Sequence, residues 1–255
     1  MSAPPYRGRF APSPTGPLHL GSLCTALASF LDARAHGGSW LVRIEDIDPP
    51  REQPGATARI LASLHAHALH PDEPVLHQSD RSAAYDQVIA ELLDAQLAFF
   101  CTCSRRDLQQ QGRHAAACPR SRVRPGTDEA AIRLCAAGTQ HAFEDIFLGP
   151  VELPTPQGTD DFVIRRRDGL YAYQLAVVID DAEQQITHVV RGRDLLESTP
   201  HQVFLRARLG LAPVYYGHIP LLLNAQGQKL SKQNHAPALD DMRAPQNLLF
   251  CLEAL

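Results

Sequence analysis

The stretch RFAPSPTGPLHLGS, residues 9–22, decides how this chain is read. Three prolines and two glycines make it a rigid turn, and it carries Arg9 and His19. The segment that follows, LCTALASFLDARA (23–35), places Leu23, Leu27, Phe30 and Leu31 on one helical face, and Gly37-Gly38 ends the helix. SWLVRI (39–44) then reads as a buried strand. Strand, Pro/Gly loop, helix and strand make a βαβ unit, which predicts a parallel sheet of the α/β class. A loop that leaves a parallel strand and enters a helix suits phosphate, because the first N–H groups of the helix lack partners and its dipole is positive there. His19 can donate to phosphate oxygens, and Gly21 lets a flat ring approach the backbone. Residue by residue, an ordinary proline-rich turn with a capping histidine explains the stretch almost as well.

Working outward, residues 56–69 and 82–97 are amphipathic helices. From about 101 to 160 cysteine, glutamine, arginine and proline replace the apolar periodicities, which predicts an inserted module. The expected division is 1–98 for the first part of the main domain, 99–160 for the insert and 161–255 for the second part. Strands are expected at 161–166, 171–179, 186–191 and 214–223, and a helix at 200–209. NAQGQKLSKQN (224–234) is a polar loop in which Lys229 and Lys232 bracket Ser231. A basic loop of this kind suits charge that grows on a phosphate during transfer.

The 255 residues are enough for one large domain with an insert. Hydrophobic content of 44% and charge of 20% are those of a globular protein rather than a disordered one. No run of 18 apolar residues predicts a membrane span, and MSAPPYRGRF has no secretory apolar core, so the cytoplasm is the expected location. A net charge of −4 argues against a non-specific nucleic-acid binder, so any RNA contact falls to local patches. Arg120, Arg122 and Arg124 form one such patch and Arg165–Arg167 another, with solvated surface as the equal alternative. Three of the six cysteines fall within 18 residues. The pattern Cys101-x-Cys103-x10-His114-x3-Cys118 offers three sulfurs and an imidazole, a set that suits tetrahedral Zn²⁺. Free thiols are its alternative.

PSPTGPLHLGS and KLSK together resemble the HIGH and KMSKS signatures of class I aminoacyl-tRNA synthetases. RIEDIDPPR (43–51), YQLAVVIDD (173–181) and THVVRGRDLLESTP (187–200) lie between them in the order of the glutamyl-tRNA synthetase family. The resemblance covers nearly the whole chain. It implies a Rossmann-type catalytic domain in which His19, Gly21, Lys229, Ser231 and Lys232 bind ATP. His19 and Lys232 would stabilise the transition state, and Mg²⁺ would accompany the nucleotide. It further implies an L-glutamate site made of Arg9, Ala11, Ser13, Glu45, Tyr173 and Arg191. Arg9 and Arg191 would take the carboxylates, Arg9 the side-chain one, and Glu45 the ammonium.

The chain stops at Leu255, where the full-length enzymes continue into a helical anticodon-binding region. It is therefore similar to a short branch of that family expected to lack the anticodon domain and to work as a monomer. That branch activates glutamate without tRNA and attaches it to the queuosine base in the anticodon arm of tRNA(Asp). Three departures bear on this. Ile47 stands where threonine is common, Gln233 follows KLSK, and Val177 replaces an asparagine frequent in enzymes that charge a tRNA 3′ end. His114 stands where relatives usually have tyrosine. A truncated enzyme charging a 3′ end, or a non-catalytic glutamate- or RNA-binding paralogue, would also carry many of these residues.

Overall fold

The chain is represented by a computed structural model that describes residues 5–103, 130–137, 139–153, 161–223, 230 and 237–255. Strand β1 (Arg7–Phe10) runs into helix α1 (Leu20–Ala35), and β2 (Ser39–Ile44) returns parallel to β1 with Arg9 opposite Leu41. The βαβ unit read from the opening stretch is present. Helix α1 ends at His36, and Gly37 follows at φ +61°, the left-handed region a glycine enters without strain. Leu23 and Leu27 of the expected apolar face are buried, whereas Leu31 is exposed.

Helix α2 (Ala56–Ala66) leads to the short β3 (Leu76–His77), which pairs parallel with β2. Helix α3 (Ser82–Asp94) leads to β4 (Ala98–Cys101). Beyond it lie β5 (Ala131–Leu134), the hairpin β6 (Ala142–Asp145) and β7 (Gly149–Glu152), and β8 (Phe162–Arg165). Helix α4 (Tyr173–Glu183), β9 (His188–Gly192), α5 (Thr199–Arg208), β10 (Tyr215–Ile219) and α6 (Ala244–Ala254) complete the described elements.

Residues 171–179, expected as a strand, are therefore mostly helical. Every residue from Leu175 to Asp181 is buried, so neither a two-residue nor a 3.6-residue alternation marks the segment. The strand pairings also do not follow the 99–160 bounds. β4, β5 and β8 form one antiparallel sheet, with β8 outside that range. β6 lies within the range yet pairs parallel with β10, in a sheet ordered β7-β6-β10-β9. Thr187 N–H donates to Arg7 O (2.9 Å) and Arg7 N–H to Thr187 Oγ1 (2.8 Å), which ties β9 to the β1-β2-β3 sheet.

Two apolar clusters hold these layers. One joins α1, α2, α6 and β2 through Leu23, Leu27, Trp40, Val42, Ile60 and Leu64. Trp40 donates its indole N–H to Ser29 Oγ at 2.9 Å, so its polar atom is satisfied. The other joins α3, α4 and α5 to the antiparallel sheet through Tyr85, Ile89, Leu134, Ile164, Leu175 and Leu205. No helix among the described residues is long and apolar enough to cross a membrane.

Candidate active site

A cleft of about 830 Å³ opens beside the C-terminal ends of β1, β2 and β9, where α/β sheets commonly bind ligands. Arg9, Ala11, Ser13, His19, Gly21, Glu45, Tyr173 and Arg191 all line it. Residues 182 positions apart in sequence, Arg9 and Arg191, are thus brought to one cavity. Ile47 lines it as well, while Val177 sits in the second apolar core.

His19 caps α1. Ser22 N–H donates to His19 Nδ1 (3.2 Å), and His19 N–H donates to Ser22 Oγ (2.8 Å), a reciprocal capping box. Because Nδ1 accepts, the ring proton is on Nε2, as a donor at the positive end of the helix. Gly21 leaves little room for a side chain. A Cβ there would sit 3.2 Å from the His19 ring and 3.4 Å from the Leu230 carbonyl oxygen. Leu230, the described residue of KLSK, is held by its N–H to Leu222 O at 2.8 Å and also lines the cleft. Lys229, Ser231, Lys232 and Gln233 lie outside the described residues.

The cleft floor is an ionic cluster. Arg9, only 4% exposed, donates Nε–H to Asp181 Oδ1 at 3.2 Å, and Arg43 Nη1 lies 2.8 Å from the same oxygen. Burial opposes the Asp181 charge, but the two guanidinia hold its carboxyl below the usual range. Glu45 is buried beside them, with Arg43 Nη2 at 3.6 Å from Oε1, and Oε1 accepts no hydrogen bond among the described residues. Burial pushes its pKa up to about 7, against the pull of Arg43 and Arg9. A buried carboxylate oxygen lacking a donor suits an incoming ammonium.

Arg191, on β9, has its guanidinium edges engaged all round. Nε donates to His218 Nε2 (3.0 Å), Nη1 to Gln202 Oε1 (2.8 Å) and Tyr173 OH (3.3 Å), and Nη2 to Thr199 Oγ1 (2.8 Å) and Leu195 O (3.2 Å). That accounts for all five N–H donors, and the Tyr173 bond is the longest. A carboxylate arriving from the cleft would take its hydrogen bond at that edge.

Sequence reasoning missed Asp181, Gln202, Thr199 and His218. Asp181 had a signal, since two acids end the apolar run YQLAVVIDD. The others meet Arg191 only through strand and helix packing. Of the basic patches, Arg165 lies 3.2 Å from Asp86, Arg166 pairs with Asp168 and lines the cleft, and Arg167 donates to Thr102 O. Arg120, Arg122 and Arg124 lie outside the described residues. So do His114 and Cys118. Cys101 and Cys103 are both buried, and Cys103 N–H donates to Cys101 Sγ at 3.4 Å. Among the described residues no three His, Cys, Asp or Glu side chains are grouped as metal ligands.

The helix-capped loop, Leu230 beside it and the ionic floor together form one cleft suited to a small charged ligand. Residues 6–246 match the catalytic domain of class I tRNA synthetases (E and Q), and the chain belongs to this family of ligases. A Glutamyl-Q tRNA(Asp) synthetase of Xanthomonas campestris pv. campestris is 53% identical over 242 residues, covering 94% of this chain and 80% of the relative. One from Pseudomonas fluorescens is 49% identical over 251 residues, with 98% and 84% covered. The resemblance to the short branch is thus borne out by relatives that carry its name. Among solved structures, a glutamate tRNA ligase from Elizabethkingia meningosepticum superposes with a TM-score of 0.76 at 30% identity, over 89% of this chain and 52% of the ligase. The chain spans about half the length of that solved structure.

Proposed function

We propose that the chain activates L-glutamate with ATP, independently of tRNA, and transfers it to the queuosine base in the anticodon of tRNA(Asp). The observation that carries this reading is the cleft itself. It brings two guanidinia, Arg9 and Arg191, and the Glu45 carboxylate into one cavity with the His19-capped start of α1. Glutamate presents two carboxylates and one ammonium, the complement of that set. Its α-carboxylate attacks the α-phosphorus of ATP, and pyrophosphate leaves. The protein's share is positioning and charge stabilisation. His19 donates from Nε2 to phosphate oxygen, Lys232 adds positive charge, and Lys229 and Ser231 hold the nucleotide. Ala11 and Ser13 help to hold the ammonium, and Mg²⁺ accompanies ATP.

The names of the relatives and the 30% identity to a glutamate tRNA ligase support this reading. Glutamate-dependent ATP–pyrophosphate exchange without tRNA tests the activation step. Absence of exchange under all conditions would favour a binder, and exchange only with tRNA present would favour 3′-end charging. For the transfer step, labelled glutamate is offered to tRNA(Asp) with and without queuosine. Equal labelling of the two, or label on the terminal adenosine, would defeat the queuosine assignment.

Glu45 gives the reading a pH signature. The ammonium partner must be ionised, and the folded-state pKa is about 7. Glutamate kcat/KM therefore rises about tenfold per pH unit below 7 and levels off above it. The same raised pKa means that stability is lost as pH climbs from the unfolded carboxyl value through 7, because the folded state binds the proton more tightly. Glu45→Gln should thus raise Tm at pH 8 more than at pH 5 while weakening glutamate use. Equal Tm shifts at the two pH values would remove Glu45 as the titrating group.

The insert is assigned one structural Zn²⁺, held by Cys101, Cys103, His114 and Cys118. The burial of Cys101 and Cys103 and the 3.4 Å N–H to sulfur bond between them fit, since both sulfurs belong to one short stretch of chain from which a tetrahedral set can be built. Purified protein should carry one zinc per chain, and Cys101→Ser or Cys118→Ser should lower metal content by at least half. Stoichiometric zinc in both variants would exclude this ligand set.

A further inference from the structure

Asp145, the last residue of β6, is 73 positions from His218 in sequence, and both are buried, at 2% and 0% exposed. His218, on β10, is the direct cross-strand neighbour of Arg191 on β9. Asp145 Oδ2 lies 2.5 Å from His218 Nδ1, and His218 Nε2 accepts from Arg191 Nε at 3.0 Å. Asp145 Oδ1 is occupied separately, by the N–H groups of Phe147 (3.0 Å), Leu148 (3.1 Å) and His218 (3.2 Å). An ionised carboxylate only accepts and a guanidinium only donates. One form of His218 satisfies both neighbours: neutral, with its proton on Nδ1. Burial keeps the ring neutral against the pull of Asp145, and hydrogen bonds keep Asp145 ionised against the opposition of burial.

Resting on the reading that the cleft takes glutamate, we propose that Asp145 and His218 are positioning residues for amino-acid binding. Asp145 fixes the His218 tautomer, and the His218 lone pair then holds the Arg191 guanidinium so that its Tyr173 edge borders the cleft. Thr199 completes the clamp, with Oγ1 2.8 Å from Arg191 Nη2 and 3.3 Å from His218 Nε2. This makes the β6–β7 hairpin, which falls within the range of the insert, a support of the glutamate site, although neither Asp145 nor His218 lines the cleft.

The test is Asp145→Asn. Its Oδ1 retains the three backbone bonds, but its amide donates to His218 Nδ1. The ring proton must then move to Nε2, where it opposes the Arg191 N–H. The expected result is a glutamate KM raised at least about tenfold in pyrophosphate exchange, with KM for ATP and kcat each within about threefold of wild type. Nitrogen-15 NMR of the histidine ring should show the Nδ1–H tautomer in wild type and Nε2–H in the variant. His218→Gln is the second variant. Its amide oxygen can accept from Arg191 in place of Nε2 and it has no tautomer, so its glutamate KM should lie at least about threefold below that of Asp145→Asn. An unchanged glutamate KM in Asp145→Asn, a parallel loss for ATP, or wild-type His218 protonated on Nε2 would overturn the proposal. Wild-type protein that supports no glutamate-dependent exchange would overturn the glutamate reading instead, and the NMR result would still report whether the tautomer is set by Asp145.

Discussion

His19→Ala lowers kcat for glutamate-dependent pyrophosphate exchange by about 10²–10³-fold, the usual cost of deleting one donor aimed at developing charge. Two roles are removed together. The ring accepts from Ser22 N–H through Nδ1 and offers Nε2–H at the start of α1. Loss of the cap alone costs about 1 kcal/mol of stability, which lowers Tm but leaves folded protein in excess. His19→Asn separates the two. Asparagine caps helices well, so Tm recovers, whereas the shorter side chain cannot place a donor where Nε2 stood, so kcat does not. Recovery of kcat in step with Tm would show that His19 is only a cap, and the catalytic assignment would fall.

Arg9→Ala severely impairs glutamate use and leaves ATP binding nearly intact. Removing one partner of a buried charge pair typically costs about 2–5 kcal/mol, or roughly 30-fold to several thousandfold in kcat/KM for glutamate. The effect has two sources. The ligand loses a guanidinium, and Asp181 is left to Arg43 alone, since both arginines reach its Oδ1. Arg9→Lys keeps the charge and therefore most of the fold, but it lacks the planar fork that serves two carboxylates, so glutamate kcat/KM should still fall more than tenfold. ATP affinity, measured by titration with a non-hydrolysable analogue, is the control. An equal loss of ATP and glutamate binding in Arg9→Ala would mean collapse of the cleft rather than loss of a recognition group.

What the sequence disclosed, and what it withheld, follows from the range of the contacts. β1, α1 and β2 are legible because their pattern closes between Arg7 and Ile44: proline and glycine fix the loop, and apolar spacing fixes the helix. The eight described residues picked for the site do meet in one cleft, because the family motifs that carry them are short and local. Helix α4 reads as a strand because Leu175–Asp181 are all buried, and a short unbroken apolar run such as LAVVI gives the same pattern in a strand. The β6–β10 pairing was illegible because β6 sits amid a polar, cysteine-bearing text and joins a strand 71 positions later, at the Asp145–Tyr216 register. Asp181 and His218 were overlooked for a related reason. A buried charge or imidazole declares its purpose only through its partner, and the partners lie 172 and 27 positions away, respectively.

The pairing of Arg9 with Asp181 also sets an order of events during synthesis. Arg9 leaves the ribosome well before its carboxylate partner, which follows 172 residues later. At roughly 5–20 residues per second the interval is about 10–30 s. Through that time the nascent chain displays two arginines, Arg9 and Arg43, with their final anion still unmade. The opening βαβ unit can condense early around Leu23 and Trp40, but its cleft has no floor until α4 emerges and docks. Ligand competence is therefore a late acquisition of the growing polypeptide, and a ribosome stalled before residue 181 would hold a folded-looking fragment unable to recognise an amino acid.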